Sequence, residues 1–296
     1  MRVEVTSLRD RIGALASADL ALRLTLLGLV LHPVGHEWIR PWILGMAGAG
    51  LLFPGLLHRP ALWGGLTLLT ASRVALDWPL SDNHAYLLSY WCLAVTLSCY
   101  GKEQHRLLAL NGRWLIALVF GFATLWKLFL APDFVDGTFF RVTLLVDPRF
   151  EAFTRLVGGL SIEQIDAARA ALDRHSDGGS LEAVAAATPS VWLERLAMAI
   201  TAWTLAIELA ITVTFCWWQG RGPSKLRDAF LILFCVSTYA VATVEGFGWL
   251  LIAMGVAQCE ADRTRARVAF LATFALILFY REVSWLTWLA DLIGNA

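Results

Sequence analysis

Residues 114–130 read WLIALVFGFATLWKLFL, an unbroken apolar run whose one charged residue, Lys127, stands near its end. A run of this length and composition predicts a membrane-crossing helix. A charged side chain inside such a helix is costly and marks a functional site by default. Arg113-Trp114 opens the run, and Pro132-Asp133-Phe134-Val135-Asp136-Gly137 follows it. The preceding apolar run opens on Asn83-His84-Ala85-Tyr86-Leu87, which places a second polar residue, His84, in a comparable position.

The rest of the chain shares this character. Of 296 residues, 58% are hydrophobic and 16% charged, with a mean hydropathy of +0.62. Soluble domains hold about 45–50% apolar and about 25% charged residues. The 14 Trp and 16 Phe fit helices flanked by aromatic belts. A net charge of zero gives no electrostatic case for a nucleic-acid partner. Residues 1–18 carry Arg2, Arg9 and Arg11 and read as a polar leader to the first span, with no cleavable signal. The five cysteines, Cys92, Cys99, Cys216, Cys235 and Cys259, sit in or beside apolar runs and form no C-x-x-C pair. They read as small core residues, and neither a disulfide framework nor a metal site is expected.

The expected fold class is all-α, a polytopic transmembrane bundle in one integral membrane domain, 1–296. Candidate spans are 17–33, 41–57, 61–77, 84–101, 113–131 and 190–217. The apolar tract 228–259 would make a helix about 48 Å long, too long for one crossing. Val244-Glu245-Gly246-Phe247-Gly248 interrupts it and predicts two short helices, 228–243 and 246–259, joined by a tight turn. With 266–282 the expectation is about nine spans. Clusters of Lys and Arg then fall on one side, which places the N-terminus in the cytoplasm and the C-terminus and the loop 132–189 outside. A bacterial inner membrane is the expected location. Within that external loop, Ser161-Ile162-Glu163-Gln164 is a capping box that starts a helix over 162–175, and Ser176 to Ser180 ends it. Residues 138–157 and the tail 283–296, with Trp285 and Trp288, read as interfacial segments.

This topology gathers ionisable groups from distant parts of the chain at the outer level. His84, Lys127, Arg73, Asp77, Tyr239, Glu245, Arg281 and Glu282 all fall there, and Glu208 lies apart, toward the inner half of its span. Plainer roles compete: a lysine near a helix end can snorkel, and Glu194-Arg195 and Arg281-Glu282 read as solvated pairs.

The words Asn83-His84-Ala85-Tyr86-Leu87, Arg113-Trp114, Trp126-Lys127-Leu128 and Asp133-Phe134-Val135-Asp136-Gly137, in that order, resemble the vitamin K-dependent γ-carboxylase family within the broader HTTM membrane family. The resemblance covers roughly 15–282 and is strongest over 82–140. It implies a lyase in which Lys127 is the catalytic base and His84 assists. The cofactor implied is a reduced naphthoquinone, of the vitamin K or menaquinol type, with O2 and CO2 as co-substrates. The hydroquinone loses a proton, oxygen adds, and the rearranged quinone takes a γ-proton from a glutamate that CO2 then traps, leaving the epoxide. Substrate-binding expectations fall on Asn83, Tyr86, Arg73, Trp126, Tyr239 and Glu245. An amine suits the base role only in its neutral form, and apolar surroundings such as Leu125, Trp126, Leu128 and Phe129 disfavour the ammonium. No counterpart of the large extracytoplasmic domain that binds protein substrates in the family's animal members is expected within residues 1–296. Quinol oxygenation is therefore the firmer expectation, and carboxylation of a peptide or protein the second.

Partners expected on this reading are the lipid bilayer and a membrane quinol. The competing reading is a non-catalytic membrane subunit or scaffold of a redox or maturation complex. A small transporter is a third, though it calls for repeated broken helices, and the sequence has a single broken tract.

Overall fold

The computed structural model describes residues 16–32, 34–174, 190–217, 222–242, 244, 246–260 and 262–294. Every regular element among them is helical. The α-helices are α1 (Ser17–Leu31), α2 (Arg40–Leu52), α3 (Pro60–Leu76), α4 (Asn83–Tyr100), α5 (Gln104–Phe129), α6 (Pro132–Val135), α7 (Thr138–Val146), α8 (Glu151–Leu156), α9 (Ile162–Arg174), α10 (Val191–Cys216), α11 (Arg227–Val241), α12 (Gly248–Ala257), α13 (Thr264–Glu282) and α14 (Trp285–Gly294).

Local sequence sets many boundaries. Phe53 and Ala131 each precede a proline and leave the helical region, Phe53 for extended backbone and Ala131 for φ −129°, ψ 79°, because the proline ring disfavours the helical region for the residue before it. Helix α5 therefore stops at Phe129, and Lys127 lies in its last turn, where a cation is favoured by the helix dipole. Ser190 caps α10 by accepting a hydrogen bond from the Leu193 N–H at 3.2 Å. The predicted capping box forms: Ser161 N–H donates to Gln164 Oε1 at 2.9 Å, and Gln164 N–H donates to Ser161 Oγ at 3.4 Å. It starts α9 where the sequence places it; residues 176–180, expected to end that helix, lie outside the described residues.

Among the described residues two helices, α5 and α10, are long and apolar enough to cross a membrane. Each has 26 residues and is about 39 Å long. A third crossing follows if α13 and α14, bent by 57°, count as one. The expectation of about nine spans is corrected accordingly. The other predicted spans hold helices of 10 to 19 residues: α2 stops at Leu52, before Pro54, whereas α3, α4 and α13 keep their expected extents but fall short in length or apolar content, with Arg73, His84 and Arg281 inside them. The split of the 228–259 tract is seen. Helices α11 and α12 are separated by Gly246, whose φ of +82° suits glycine alone at little cost.

A main core joins α1 to α5 and α10 to α13. Helix α12 lies at its centre, with every residue buried, and packs on α1, α5 and α13. The buried stripe of α5 is Leu108, Gly112, Ile116, Phe120 and Thr124. Its opposite face exposes Leu107, Leu110, Trp114, Leu118, Phe122, Leu125 and Phe129, an apolar stripe at helical spacing along the whole helix. Contiguous exposed apolar surface of this extent marks contact with lipid or a partner.

The segment after α5 builds a second core. Phe134, Phe140, Leu144, Leu145, Leu160, Ile165 and Ala168 form a second core with Leu193 and Ala197 from the first half of α10. The second half of α10 sends Ile207, Ile211 and Phe215 into the main core. Helix α14 packs on α8 and is pinned there by Arg155 to Asp291 at 3.0 Å, while Trp288, Leu292 and Ile293 stay exposed.

One turn of this second core carries a pH dependence. Asp147 accepts from the Arg149 guanidinium (Nη2 to Oδ2, 2.6 Å) and from the Arg149 backbone N–H at 3.0 Å. The guanidinium bonds hold the Asp147 carboxyl below the usual carboxylate range, with partial burial opposing them. A carboxylate whose value is lowered on folding stabilises above its unfolded value, here 3.8, and loses that contribution as pH falls through the folded one. Because Arg149 is half exposed, screening keeps the effect to about 0.5 kcal/mol. Amide exchange over residues 150–157 should be faster in Asp147→Asn than in the parent at pH 6, and the two should converge only as pH falls below the lowered folded value. Equal rates at pH 6 would show the contact to be inert.

Candidate functional site

Helices α5 and α10 run antiparallel and are clamped by two basic residues of α5. At one end Arg113 caps α10. Its Nε donates to the Phe215 carbonyl at 2.6 Å and its Nη2 to the Cys216 carbonyl at 3.3 Å, with a further bond to the Trp217 carbonyl. About 21 Å along α5, the Lys127 ammonium donates to Glu208 Oε1. The carboxylate is buried, with 7% of its side chain exposed, and Lys127 retains 21%. Sequence reading set Glu208 apart on depth. The structure pairs it with Lys127, because the first half of α10 runs on past the end of α5 into the second core.

The word after the lysine has a clear structural task. Gly137 turns at φ +82°, and a Cβ there would meet Met198 Sδ of α10 at 2.7 Å. Asp136 Oδ1 accepts from the Thr138 N–H at 2.9 Å. This turn seats the short helix α6 so that the Phe134 ring lies 5.1 Å from the Lys127 ammonium, within cation–π range. Glu208 Oε2 has no hydrogen-bond partner among the described residues, nor has Thr201 Oγ1 two turns earlier on α10. Both residues are buried and lie where α10 passes from one core to the other.

His84 belongs to a second polar group. Its Nε2 lies 3.5 Å from Asp82 Oδ2, and its ring packs on the α11–α12 turn, where a Cβ on Gly246 would meet His84 Cδ2 at 3.2 Å. The two groups connect through aromatic packing. Phe120, two turns below Lys127 on α5, contacts Phe247 beside that turn. No direct contact joins the Lys127 and His84 side chains among the described residues.

Behind the turn, His32, Tyr239, Trp249 and Arg281 line a cavity of about 10 Å³, the room of a single water. Tyr239 is buried, and its hydroxyl donates to the Val244 carbonyl at 2.8 Å, so it braces the turn. Arg281 Nε lies 3.6 Å from the exposed Glu282 carboxylate, and the guanidinium also reaches inward. Its Nη1 donates to the Leu31 carbonyl at 3.0 Å and lies 2.5 Å from His32 Nδ1, stapling α13 to the end of α1. His32 in turn stacks on Trp249, with ring centroids 6.2 Å apart. Glu194 stays exposed, as expected, and pairs with Arg141 rather than Arg195, at 2.9 Å.

The remaining expected site residues are dispersed. Arg73 joins Asp77 at 3.5 Å, and Asp77 also meets His36 Nε2 at 2.8 Å. Asn83 is exposed and Tyr86 half-buried at the start of α4. Trp126 is exposed on the outer face of α5. Glu245 lies outside the described residues. Cys92, Cys235 and Cys259 are buried, as expected of core residues, whereas Cys216 is exposed; all five thiols are free. Among the described residues no cluster of His, Cys, Asp or Glu is arranged to hold a metal ion.

Sequence reading missed Glu208 as a partner because pairing between helices separated by the 132–189 segment leaves no local pattern. Its one signal was a lone carboxylate in an apolar helix, which calls for a named partner. Comparison with family models, with curated proteins and with solved structures finds no match to this chain.

Proposed function

We propose that this chain is a membrane enzyme that binds a membrane quinol of the reduced naphthoquinone type and deprotonates it for oxygenation to the epoxide. The observation that carries the reading is the Lys127–Glu208 pair, set at the seam of two cores on a helix whose outer face is an apolar stripe. A phenolic hydroxyl fits this setting. It is a donor that the carboxylate can accept, and the oxyanion it leaves is one that an ammonium can hold. Phe134 offers an aromatic wall, and a lipophilic tail could remain among the exposed side chains of α5. Carboxylation of a glutamate is the further step that the γ-carboxylase-like, HTTM-type resemblance carries, with CO2 as co-substrate and a peptide or protein as acceptor. His84, by the Gly246 turn, acts on the ring from the other polar group once a ligand lies between them. The orientation that goes with this reading has the N-terminus cytoplasmic and the second core on the extracytoplasmic side.

A specific observation favours the alternative, a non-catalytic membrane subunit: Lys127 and His84 belong to separate polar groups. One experiment divides the two. Purified protein in lipid nanodiscs is given a reduced naphthoquinone and oxygen, and epoxide is measured by chromatography. The enzyme reading expects epoxide from the parent and a loss of about 100-fold or more in Lys127→Gln, the scale on which a proton-transfer group contributes. Parent protein that makes no epoxide at any pH from about 6 to 9, the span in which general bases work, would overturn it in favour of the subunit.

A further inference from the structure

We propose that Glu208 is the proton acceptor of the site: its carboxylate takes the hydroxyl proton of a phenolic ligand seated at the seam of α5, α6 and α10, and the Lys127 ammonium holds the phenolate that remains. The inference rests on the quinol reading above and changes which residue receives the proton.

The first reason is electronic. In the ion pair seen here Lys127 donates to Glu208 Oε1, and an ammonium so engaged has no lone pair with which to act as a base. A carboxylate has about four acceptor positions. Lys127 occupies one, and Oε2 has no partner among the described residues. Rotation about the soft terminal torsion of a glutamate exchanges its two oxygens, so spare acceptor capacity is available on either.

The second reason is proton balance. If the hydroxyl proton passes directly to Glu208, the ligand O–H bond breaks, an O–H bond forms on the carboxylate, and the electron pair stays on the ligand oxygen. If Lys127 first gives its own proton to Glu208 and then takes the hydroxyl proton, the outcome is identical: protonated Glu208, ammonium Lys127 and a phenolate. By either order the carboxylate ends with the extra proton, and no oxidant enters the step. A charge-assisted bond between ammonium and phenolate replaces the one between ammonium and carboxylate.

The third reason is location. Glu208 and Thr201 share one face of α10 and are both buried, each with an oxygen that has no partner among the described residues. Leu205, between them, packs against the second core, and Ile207 belongs to the main core. The ligand's hydroxyl end therefore meets acceptors where two packed units abut, and such a seam opens with less disruption than the interior of either unit.

The test uses 1-naphthol, a phenol of suitable shape that forms no epoxide in this reaction, and its methyl ether, which cannot donate. Binding is followed by tryptophan fluorescence on the full chain in nanodiscs, and bound naphtholate by its absorption. Parent protein should prefer naphthol over the ether by about tenfold or more, the scale of a hydrogen bond to a charged group, and should show naphtholate. In Glu208→Gln the preference should fall to within about threefold, with the naphtholate band absent. The neutral double variant Lys127→Gln/Glu208→Gln leaves no buried charge unpaired. It should behave like Glu208→Gln and covers the case in which the single variant does not fold. A preference retained in both variants, or no preference in the parent, overturns the inference. Epoxide turnover separates the two proposals. Parent protein that binds naphthol as naphtholate but makes no epoxide sinks the oxygenation reading alone. Turnover undiminished in Glu208→Gln sinks this inference alone.

Discussion

Lys127→Met should lower the stability of the protein by about 3 kcal/mol, the low end of the 3–5 kcal/mol that breaking one side of a buried pair costs. The substitution keeps the volume and apolar stem of the side chain, so little of the loss is packing. It leaves the Glu208 carboxylate among apolar residues with its one described donor removed. The effect stays near the low end because 21% of the Lys127 side chain is exposed and because the carboxyl can take up a proton. The matching double substitution, Lys127→Met/Glu208→Leu, removes both charges and should recover most of the loss, since buried pairs exchanged for apolar residues are often neutral or stabilising. Thermal melting in nanodiscs measures all three proteins. A single variant as stable as the parent would mean that water already reaches the pair. A double variant no better than the single would mean that the loss came from shape. The same double variant should be inactive in the epoxide assay, which separates the pair's structural role from its chemical one.

The second large effect is expected at Trp249, one of three tryptophans among the described residues with no more than 1% of their surface exposed. Trp249→Ala should cost about 3–5 kcal/mol through the cavity it opens. The loss falls where α12 meets α1. A Cβ on Gly28 would lie 2.3 Å from Trp249 Cε3, so the two helices approach through a glycine on one side and an indole on the other. The indole N–H separates packing from polarity. Trp91 Nε1 donates to Thr25 Oγ1 at 2.9 Å, and Trp63 Nε1 to the Leu57 carbonyl at 2.8 Å. Trp249 Nε1 has no partner among the described residues. Trp249→Phe should therefore cost less than about 1.5 kcal/mol and less than Trp91→Phe, because it deletes a buried donor that is making no bond. Gly28→Ala should be harmful in the parent and tolerated in Trp249→Ala, a coupling that melting curves of the four proteins would report. Additive effects of Gly28→Ala and Trp249→Ala would show that the contact does not carry the helix packing.

Much of the local structure was legible in the chain. The helix over 114–130, the break at Gly246 and the capping box at Ser161 each follow from spacing, a glycine or a cap within a few residues of the feature they set. Span number was not legible in the same way. The apolar stretch beside Pro54 looks long enough on composition, yet its helix stops at Leu52, because the proline disfavours helical backbone just before it; the helices holding Arg73 and His84 keep their expected extents but fall short in length or apolar content. The helix over 162–174 was legible from its cap, but the packing of the 132–174 segment was not, because an amphipathic pattern does not say that the first half of α10 buries its apolar faces.

The candidate site divides along the same line. Lys127 stood out in the sequence because one charge in an apolar helix is conspicuous wherever the helix lies, and Pro132 put it in the last turn. Its partner did not stand out, since Glu208 is 81 residues away and the pairing depends on how far α10 extends beyond α5. The separation of His84 from Lys127, the commitment of Arg281 to α1 and the unpartnered oxygen of Glu208 are likewise products of assembly. Composition and short-range pattern determined by themselves that this chain forms apolar helices bearing a few expensive charges. Which charge meets which was decided only in the tertiary structure, because ion pairing acts over a few ångströms of space and those distances exist only after the helices have packed.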